Sequence, residues 1–447
     1  MRSRPSIAAC ARRLRIVAGT SSALMVWTGC APAPTWDGNI VLIVIDTLRA
    51  DALPSYGAPR ENAPFLASLA DGASVYENAW TTSSWTAPAT ASIFTSVYPN
   101  EHGVQTGLRV FRNQENTPRD MQINRIPESF DTIPTFLRGR GYRTFGASAN
   151  LNVDEAMGFA RGFDRFVMTD YSRQTDGREL VSAVLSWRDE ILQAAPFFLY
   201  LHFMDPHVPH HRREALLPAN AAAPPVLGIE DRDAYDSEVR FVDDLLRQIF
   251  ESLPLDRALV IVTSDHGQEF DDHGDFGHGF QLYSELTRVP LLLHRPGGAA
   301  SRVMPDVSTI DILPTLRSLT GAPRSPQDRG TSLLPGDAPA ETRAVFSMRT
   351  RARDTRQKKR AVVRDGLKLI VTEPERSREL YDLRADPGET QNLAATRAED
   401  VRRLEALLAA QNARDGLSVH ERAEILEASP ELVEQLEELG YADDGPQ

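Results

Sequence analysis

The chain has 447 residues, 41% of them hydrophobic and 25% charged, with a formal net charge of −13. That is enough apolar material for a large core and a smaller second one, and the acidic balance argues against a nucleic-acid partner, which would need clustered Lys and Arg. Lysine occurs only at Lys358, Lys359 and Lys368, which excludes a lysine-based anion site elsewhere in the chain.

Residues 1–37 read as a targeting segment with a tether. Arg2, Arg4, Arg12, Arg13 and Arg15 precede an apolar run from Ile16 to Trp27 that is too short for a comfortable membrane span. Thr28-Gly29-Cys30 follows, then Ala31-Pro32-Ala33-Pro34. Small residues before a cysteine and a Pro-rich tether resemble a bacterial lipoprotein cleavage site with Cys30 lipidated, although Trp27 stands where Leu is usual. A plain cleaved signal or an uncleaved anchor is the alternative. The expectation is export to the periplasm or cell envelope, held to the membrane by a lipid anchor. Cys10 and Cys30 are the only cysteines, so the rest of the chain has no disulfide and no thiolate metal site.

After the tether, the run 39–46 is apolar and β-branched and closes on Asp46, which predicts a buried strand with a carboxylate at its C-terminal end. The same design recurs at 197–203 and at 258–265, and helical patterns lie between, over 179–192 and 233–253. Strands alternating with helices predict an α/β fold, a mostly parallel sheet sandwiched by helices. Ligands then sit beyond the carboxyl ends of the strands. Past residue 340 the texture changes to short strand-like pieces at 361–364, 367–371 and 380–383, followed by acidic, Leu-spaced helices over 392–439. The expected organisation is a catalytic domain over 38–340 and a small α+β subdomain over 341–447. The Pro-rich stretch 218–225 reads as a surface loop.

Histidine is concentrated where those strand ends fall. Of ten His, two lie in the segment Asp205 to His210, and three lie between His266 and His278. Asp265-His266, directly after a strand, offers a carboxylate and an imidazole, and Asp46 adds a second carboxylate. Such a mixed set suits one divalent ion, manganese, zinc or magnesium, better than calcium with its all-oxygen cage.

At this point the chain comes to resemble the sulfatase family of the alkaline phosphatase superfamily. The matching pieces, in family order, are 44–51, Trp85 to Thr95 with Tyr98-Pro99, 203–209, 263–270, Arg288 to Leu291, Asp311 to Leu316 and Leu380 to Leu383. Together they cover about residues 38–395. The family's nucleophile motif is Cys or Ser, any residue, Pro, then any residue and Arg. Pro88 aligns with its Pro, which places Thr86 at the nucleophile and Thr90 at the Arg. Sulfatases oxidise the Cys or Ser to formylglycine, and Thr cannot form that aldehyde. Superfamily members with Thr at this place resemble phosphotransferases and phosphodiesterases. The family's Lys and His of a later motif have no counterpart around Ser148, Ala149 and Asn150. Thr47 replaces the family's second Asp, and His278 stands where a Lys is frequent.

The resemblance implies a sulfate- or phosphate-ester hydrolase. In this reading Asp46, Asp265 and His266 hold the metal, Thr86 forms a covalent intermediate, and His207 and His278 bind the transferring group or protonate the leaving group. Pro88 suits the first turn of a helix, so Thr86 lies at an N-terminal mouth that favours an anionic ester. A sulfated Thr lacks the exit that a formylglycine hydrate has, so phosphoryl chemistry is favoured. Two alternatives are a transferase moving a phospho group to an envelope lipid or glycan, and a non-catalytic binding protein on the same fold. Arg49 and Asp51 are expected to brace the first loop, His202 to belong to the core, and His102 and His273 to divide evenly between site and scaffold.

Overall fold

The six residues Ile40 to Ile45 form strand β1, and each is at most 1% exposed. A strand apolar on both faces needs cover on both, and burying each of these side chains contributes roughly 1.5–3 kcal/mol before entropy is counted. The computed structural model describes residues 36–105, 109–112, 118–169, 176–218, 221–222, 231–334, 337, 342–349, 358–414, 424–426 and 442–443. Cys30 and the boundary expected at 340 lie outside these residues.

Around β1 is a sheet of eight strands. The others are β2 (Ala73–Tyr76), β3 (Arg143–Ser148), β4 (Arg165–Met168), β5 (Phe197–Phe203), β6 (Leu259–Thr263), β7 (Leu291–His294) and β8 (Ser301–Val303), in the order β8-β2-β7-β6-β1-β5-β3-β4. Only β7 runs against its neighbours; the remaining pairs are parallel. β1 lies between β5 and β6, with Val44 beside both His202 and Thr263. The carboxyl ends of β1, β5, β6 and β3 therefore converge on one edge, where the topology puts ligands.

Helices flank the sheet. Among them are α1 (Thr86–Thr95), α2 (Gly177–Ser186), α3 (Arg232–Ser252) and α4 (Ile312–Leu319). The helix expected over 179–192 is two, because α2 stops at Trp187 and a second piece spans Arg188–Gln193. Asp231 caps α3 by accepting from the N–H groups of Asp233 and Ala234. Its buried stripe Tyr235, Val239, Val242, Leu246 and Ile249 keeps the 3–4 spacing of one helix face. α1 is different. Its ten residues are small or uncharged and all of them are buried, so it runs inside the molecule.

The C-terminal region carries a separate antiparallel sheet of β9 (Val345–Arg349), β10 (Lys358–Arg364), β11 (Leu367–Glu373) and β12 (Ser377–Asp382), paired in chain order. Helix α5 (Ala398–Asn412) packs Val401, Leu404 and Leu408 on Val362, Leu367, Leu369 and Leu380. Met348 N–H donates to the Thr82 carbonyl at 2.8 Å and Ser347 Oγ to the Thr81 carbonyl at 2.5 Å, so β9 braces the segment that leads into α1. The helical run expected to Leu439 is confined to α5 among the described residues. Beyond it, Glu424–Leu426 and Ala442–Asp443 are strands, and they flank the hairpin of Arg109–Arg112 and Pro118–Ile123. No helix among the described residues is long and apolar enough to cross a membrane.

Candidate active site

Three strand ends and one helix start assemble the site. Asp46 follows β1 directly, Asp265 and His266 follow β6, His202 is the penultimate residue of β5, and Thr86 opens α1. Asp46, Thr86, His202, His207, Asp265 and His266 are all fully buried, and His278 is nearly so.

His266 decides what the cluster can hold. Its Nδ1 lies 2.9 Å from the Gly267 carbonyl, which can only accept, so Nδ1 carries the proton and Nε2 presents a lone pair. That Nε2 faces Asp46 Oδ1 at 3.7 Å and Asp265 Oδ2 at 3.5 Å. Neither oxygen has a hydrogen-bond partner among the described residues. Three buried acceptors turned toward one another repel unless a cation lies between them. The Thr86 hydroxyl adjoins them, donating to His266 Nε2 at 3.2 Å.

The other oxygens of the two carboxylates are satisfied. Asp265 Oδ1 accepts from His266 N–H at 2.9 Å and from Thr47 N–H at 3.4 Å. Asp46 Oδ2 accepts from Asn150 Nδ2 at 2.5 Å and lies 3.3 Å from His202 Nε2. Burial alone would raise Asp46, but the His202 hydrogen bond and the neighbouring imidazoles of His207 and His266 bring its pKa down to about 2. Asp265 moves upward, because burial and the Asp46 charge both oppose its ionisation.

His207 and His278 border this cluster. The ring centroids of His278 and His266 are 4.6 Å apart, and those of His207 and His278 are 4.8 Å apart. His207 Nδ1 donates to the Val208 carbonyl at 2.6 Å, and His278 Nδ1 lies 2.9 Å from Gln268 Oε1. Both rings are thus anchored at Nδ1. The residues singled out in the sequence, Asp46, Thr86, His207, Asp265, His266 and His278, fall in one cluster.

Two expectations change here. His202 is buried, but it is not a core residue: it touches Asp46, and it groups with Asp46 and Asp265 as a set able to hold a metal ion. Its signal in the sequence was a polar residue at alternate spacing from Tyr200, one position before the end of an apolar strand. Asn150, given no role in the sequence, donates from Nδ2 to the Asp46 carboxylate. His102 and His273 have their hydrogen-bond partners outside this cluster, and His273 groups with Glu269 and Glu285 as a second set able to hold a metal ion. His102 is enclosed between Ser92 and Val104. His273 pairs with Glu285 at 2.8 Å and stacks on Tyr283 with ring centroids 3.7 Å apart. Thr47 sits at φ +56° and donates its hydroxyl to the Asp46 and Pro206 carbonyls, so it has a tethering role. Arg49 ion-pairs with Asp51 and Asp272, both at 2.7 Å.

An α/β sheet with a carboxylate- and imidazole-lined edge beside a buried hydroxyl defines a class of ester hydrolases. The chain matches the sulfatase family over residues 38–322, and the family of the N-sulphoglucosamine sulphohydrolase C-terminal region over residues 271–413. It belongs to the sulfatase family, within the alkaline phosphatase superfamily, and is an ester hydrolase of that type. It is 24% identical to the uncharacterized sulfatase YidJ of Escherichia coli (strain K12), over 79% of this chain and 82% of that one. It is likewise 24% identical to the choline-sulfatase of Rhizobium meliloti (strain 1021), over 80% and 82% respectively. In fold it is similar to the phosphonate monoester hydrolase of Agrobacterium radiobacter, with a TM-score of 0.66 at 20% identity, covering 85% of this chain and 96% of that one. The family is generally metal-dependent, and the orphaned oxygens of Asp46 and Asp265 fit a divalent ion.

Proposed function

We propose that this protein hydrolyses singly charged esters of sulfate or phosphate, phosphodiesters foremost, with Thr86 as an unmodified nucleophile. The observation that carries this reading is the Thr86 hydroxyl beside a lone pair and two orphaned carboxylate oxygens. Asp46, Asp265 and His266 would hold one divalent ion, which supplies Lewis acidity toward the hydroxyl and the ester. Thr86 Oγ1 attacks the phosphorus or sulfur, and the ester's alkoxide leaves. His207 and His278 are anchored at Nδ1, which leaves Nε2 as the base: one of them takes the Thr86 hydroxyl proton as Oγ1 attacks and delivers it to the departing oxygen. The positive end of α1, which Thr86 opens, favours the anionic group being transferred. Attack by water at the same phosphorus or sulfur then releases Thr86. The segment ahead of residue 36 supports export, with Cys30 as the site of lipid attachment.

Charge sets the preference for a singly charged substrate. The groups acting on Asp46 are the imidazoles His202, His207 and His266. Arg49, the nearest arginine along the chain, is committed to Asp51 and Asp272. A divalent ion opposite two carboxylates leaves the centre near neutral, which accommodates one negative charge better than two.

A panel of matched aryl sulfates, phosphate monoesters, phosphodiesters and phosphonate monoesters, run with manganese, zinc, magnesium and calcium, tests the reading. Diesters should be turned over faster than the dianionic monoesters, and Thr86→Ala should lower turnover by about 10³-fold or more. Wild-type turnover in Thr86→Ala would remove the mechanism. Adding an alcohol acceptor checks transfer against hydrolysis, since a transferase would form the new ester at the expense of the free product.

A further inference from the structure

We infer that Tyr200, His202 and Asn150 are positioning residues that lock the Asp46 carboxylate in one orientation, so that a single oxygen is presented to a divalent ion. The inference rests on the proposed ion site of Asp46, Asp265 and His266.

The argument is one of hydrogen-bond direction. Asp46 Oδ2 is a carboxylate oxygen and only accepts, so the His202 Nε2 that lies 3.3 Å away carries the proton. His202 Nδ1 is then a lone pair, and the Tyr200 hydroxyl, 2.8 Å away, must donate to it. The chain Tyr200 O–H to His202 Nδ1, then His202 Nε2–H to Asp46 Oδ2, has one consistent direction. Asn150 Nδ2 adds a second donor to the same oxygen at 2.5 Å. Two donors therefore converge on Oδ2, whereas Oδ1 has none among the described residues and faces His266 Nε2 at 3.7 Å. A carboxylate held in this way cannot rotate to exchange its oxygens without breaking both bonds.

The backbone makes the arrangement possible. Tyr200 and His202 are two apart in β5 and share a face. In the sheet register His202 lies between Val44 of β1 and Ser148 of β3, which brings it beside Asp46 on one side and the loop carrying Asn150 on the other. All four residues are fully buried, so water does not compete for these bonds. A rival role for His202 is direct ligation, since its ring nitrogen groups with oxygens of Asp46 and Asp265. Positioning is favoured because both ring nitrogens are already engaged, one as donor and one as acceptor.

The test uses the full chain stripped of metal with a chelator. Calorimetric titration with Mn²⁺ measures affinity, and the nitrogen hyperfine pattern in the EPR spectrum of the Cu²⁺-loaded protein counts bound imidazoles. Tyr200→Phe, Asn150→Ala and His202→Gln should each weaken Mn²⁺ binding about 10–100-fold, the range for outer residues that orient a ligand. The Cu²⁺ spectrum of His202→Gln and of Tyr200→Phe should keep the wild-type nitrogen count. Tyr200→Phe is the decisive variant, because it removes one hydroxyl that touches neither the ion site nor Asp46 and leaves the ring to fill its space. Wild-type affinity in folded Tyr200→Phe and Asn150→Ala overturns the inference, and so does the loss of one nitrogen in His202→Gln, which would make His202 a ligand. If the wild-type protein binds no ion, or binds it equally well as Asp46→Ala, the ion site itself is wrong and the inference falls with it.

Discussion

His102 accepts a hydrogen bond at Nδ1 from Val104 N–H at 3.1 Å, and its Nε2 lies 3.0 Å from Ser92 Oγ. Burial lowers its pKa to about 3, with the Pro88 carbonyl opposing only weakly. In the unfolded chain the ring takes a proton near pH 6.5. The native protein resists that proton, so this contribution to stability is complete above about pH 6.5 and drains away as the pH falls toward 3. Each pH unit in that window is worth at most about 1.4 kcal/mol. His102→Gln should lose some stability at pH 7 but show a flatter acid limb in urea unfolding between pH 7 and 4.5. An acid limb as steep as wild type would mean that His102 is not the group responsible. Because His102 bonds to the helix that begins at Thr86, the same variant should disturb the site only indirectly. Thr47 is strained at the residue scale, with a β-branched side chain at φ +56°, which costs on the order of 1–3 kcal/mol. Its hydroxyl, bonded to two carbonyls, holds it there.

Among the elements, β11 carries the least expected residue. Lys368 is fully buried, ion-paired with Glu389 at 2.9 Å, and lies 5.2 Å from the Trp80 ring centroid. Removing one member of a buried pair leaves the other charge stranded, which typically costs about 3–5 kcal/mol. Lys368→Met should therefore lower stability by that amount in chemical denaturation, and Lys368→Met with Glu389→Leu should recover most of the loss. A double variant no better than the single one would show that the pair has a role beyond mutual compensation. Strand and helix cores were legible at this scale. The apolar runs at 39–46, 197–203 and 258–265 are β1, β5 and β6, and the amphipathic stretch from 233 to 253 is α3 to within a residue at each end. What escaped included the other five strands of the main sheet, the break at Trp187, and the strands at 424–426 and 442–443. The last two strands pair with residues hundreds of positions away, so no local period announces them.

At the scale of the molecule, three carboxylates converge on one cation. Arg213 contacts Glu238 at 2.7 Å, Asp176 at 3.3 Å and Asp205 at 3.5 Å, joining the loop that carries His207 to α2 and α3. Asp176 is also paired with Arg178 at 2.7 Å, but Glu238 and Asp205 share the one Arg213 guanidinium. Burial, only partly offset by Arg213, pushes Glu238 up to about 8 and Asp205 up to about 6. An acid whose pKa is raised by folding stabilises the protein below its unfolded value and loses that contribution as the pH rises through its folded value. The Glu238 contribution should accordingly decline between about pH 4.5 and 8, so that melting temperatures fall above about pH 6.5, and Glu238→Gln should flatten that fall. An unchanged alkaline limb in Glu238→Gln would place the proton elsewhere. Together with His102 on the acid side, this predicts a stability plateau where the two windows overlap, between about pH 4.5 and 6.5, because the two slopes oppose each other there.

The sequence by itself determined the strand-and-helix alternation, the buried β1, the carboxylates at strand ends and the positions of Thr86, His207 and His278, since each of these is written in local pattern or in a short motif. Only the tertiary structure decided that His202 and Asn150 contact Asp46, that His102 and His273 bond to groups outside that cluster, and that one oxygen of each carboxylate has no donor among the described residues. The physical reason is that periodicity specifies which face a side chain leaves by, whereas hydrogen-bond direction depends on which strand lies alongside. Sheet order joins residues 46, 150, 202 and 265 across more than two hundred positions, and no local pattern carries that order.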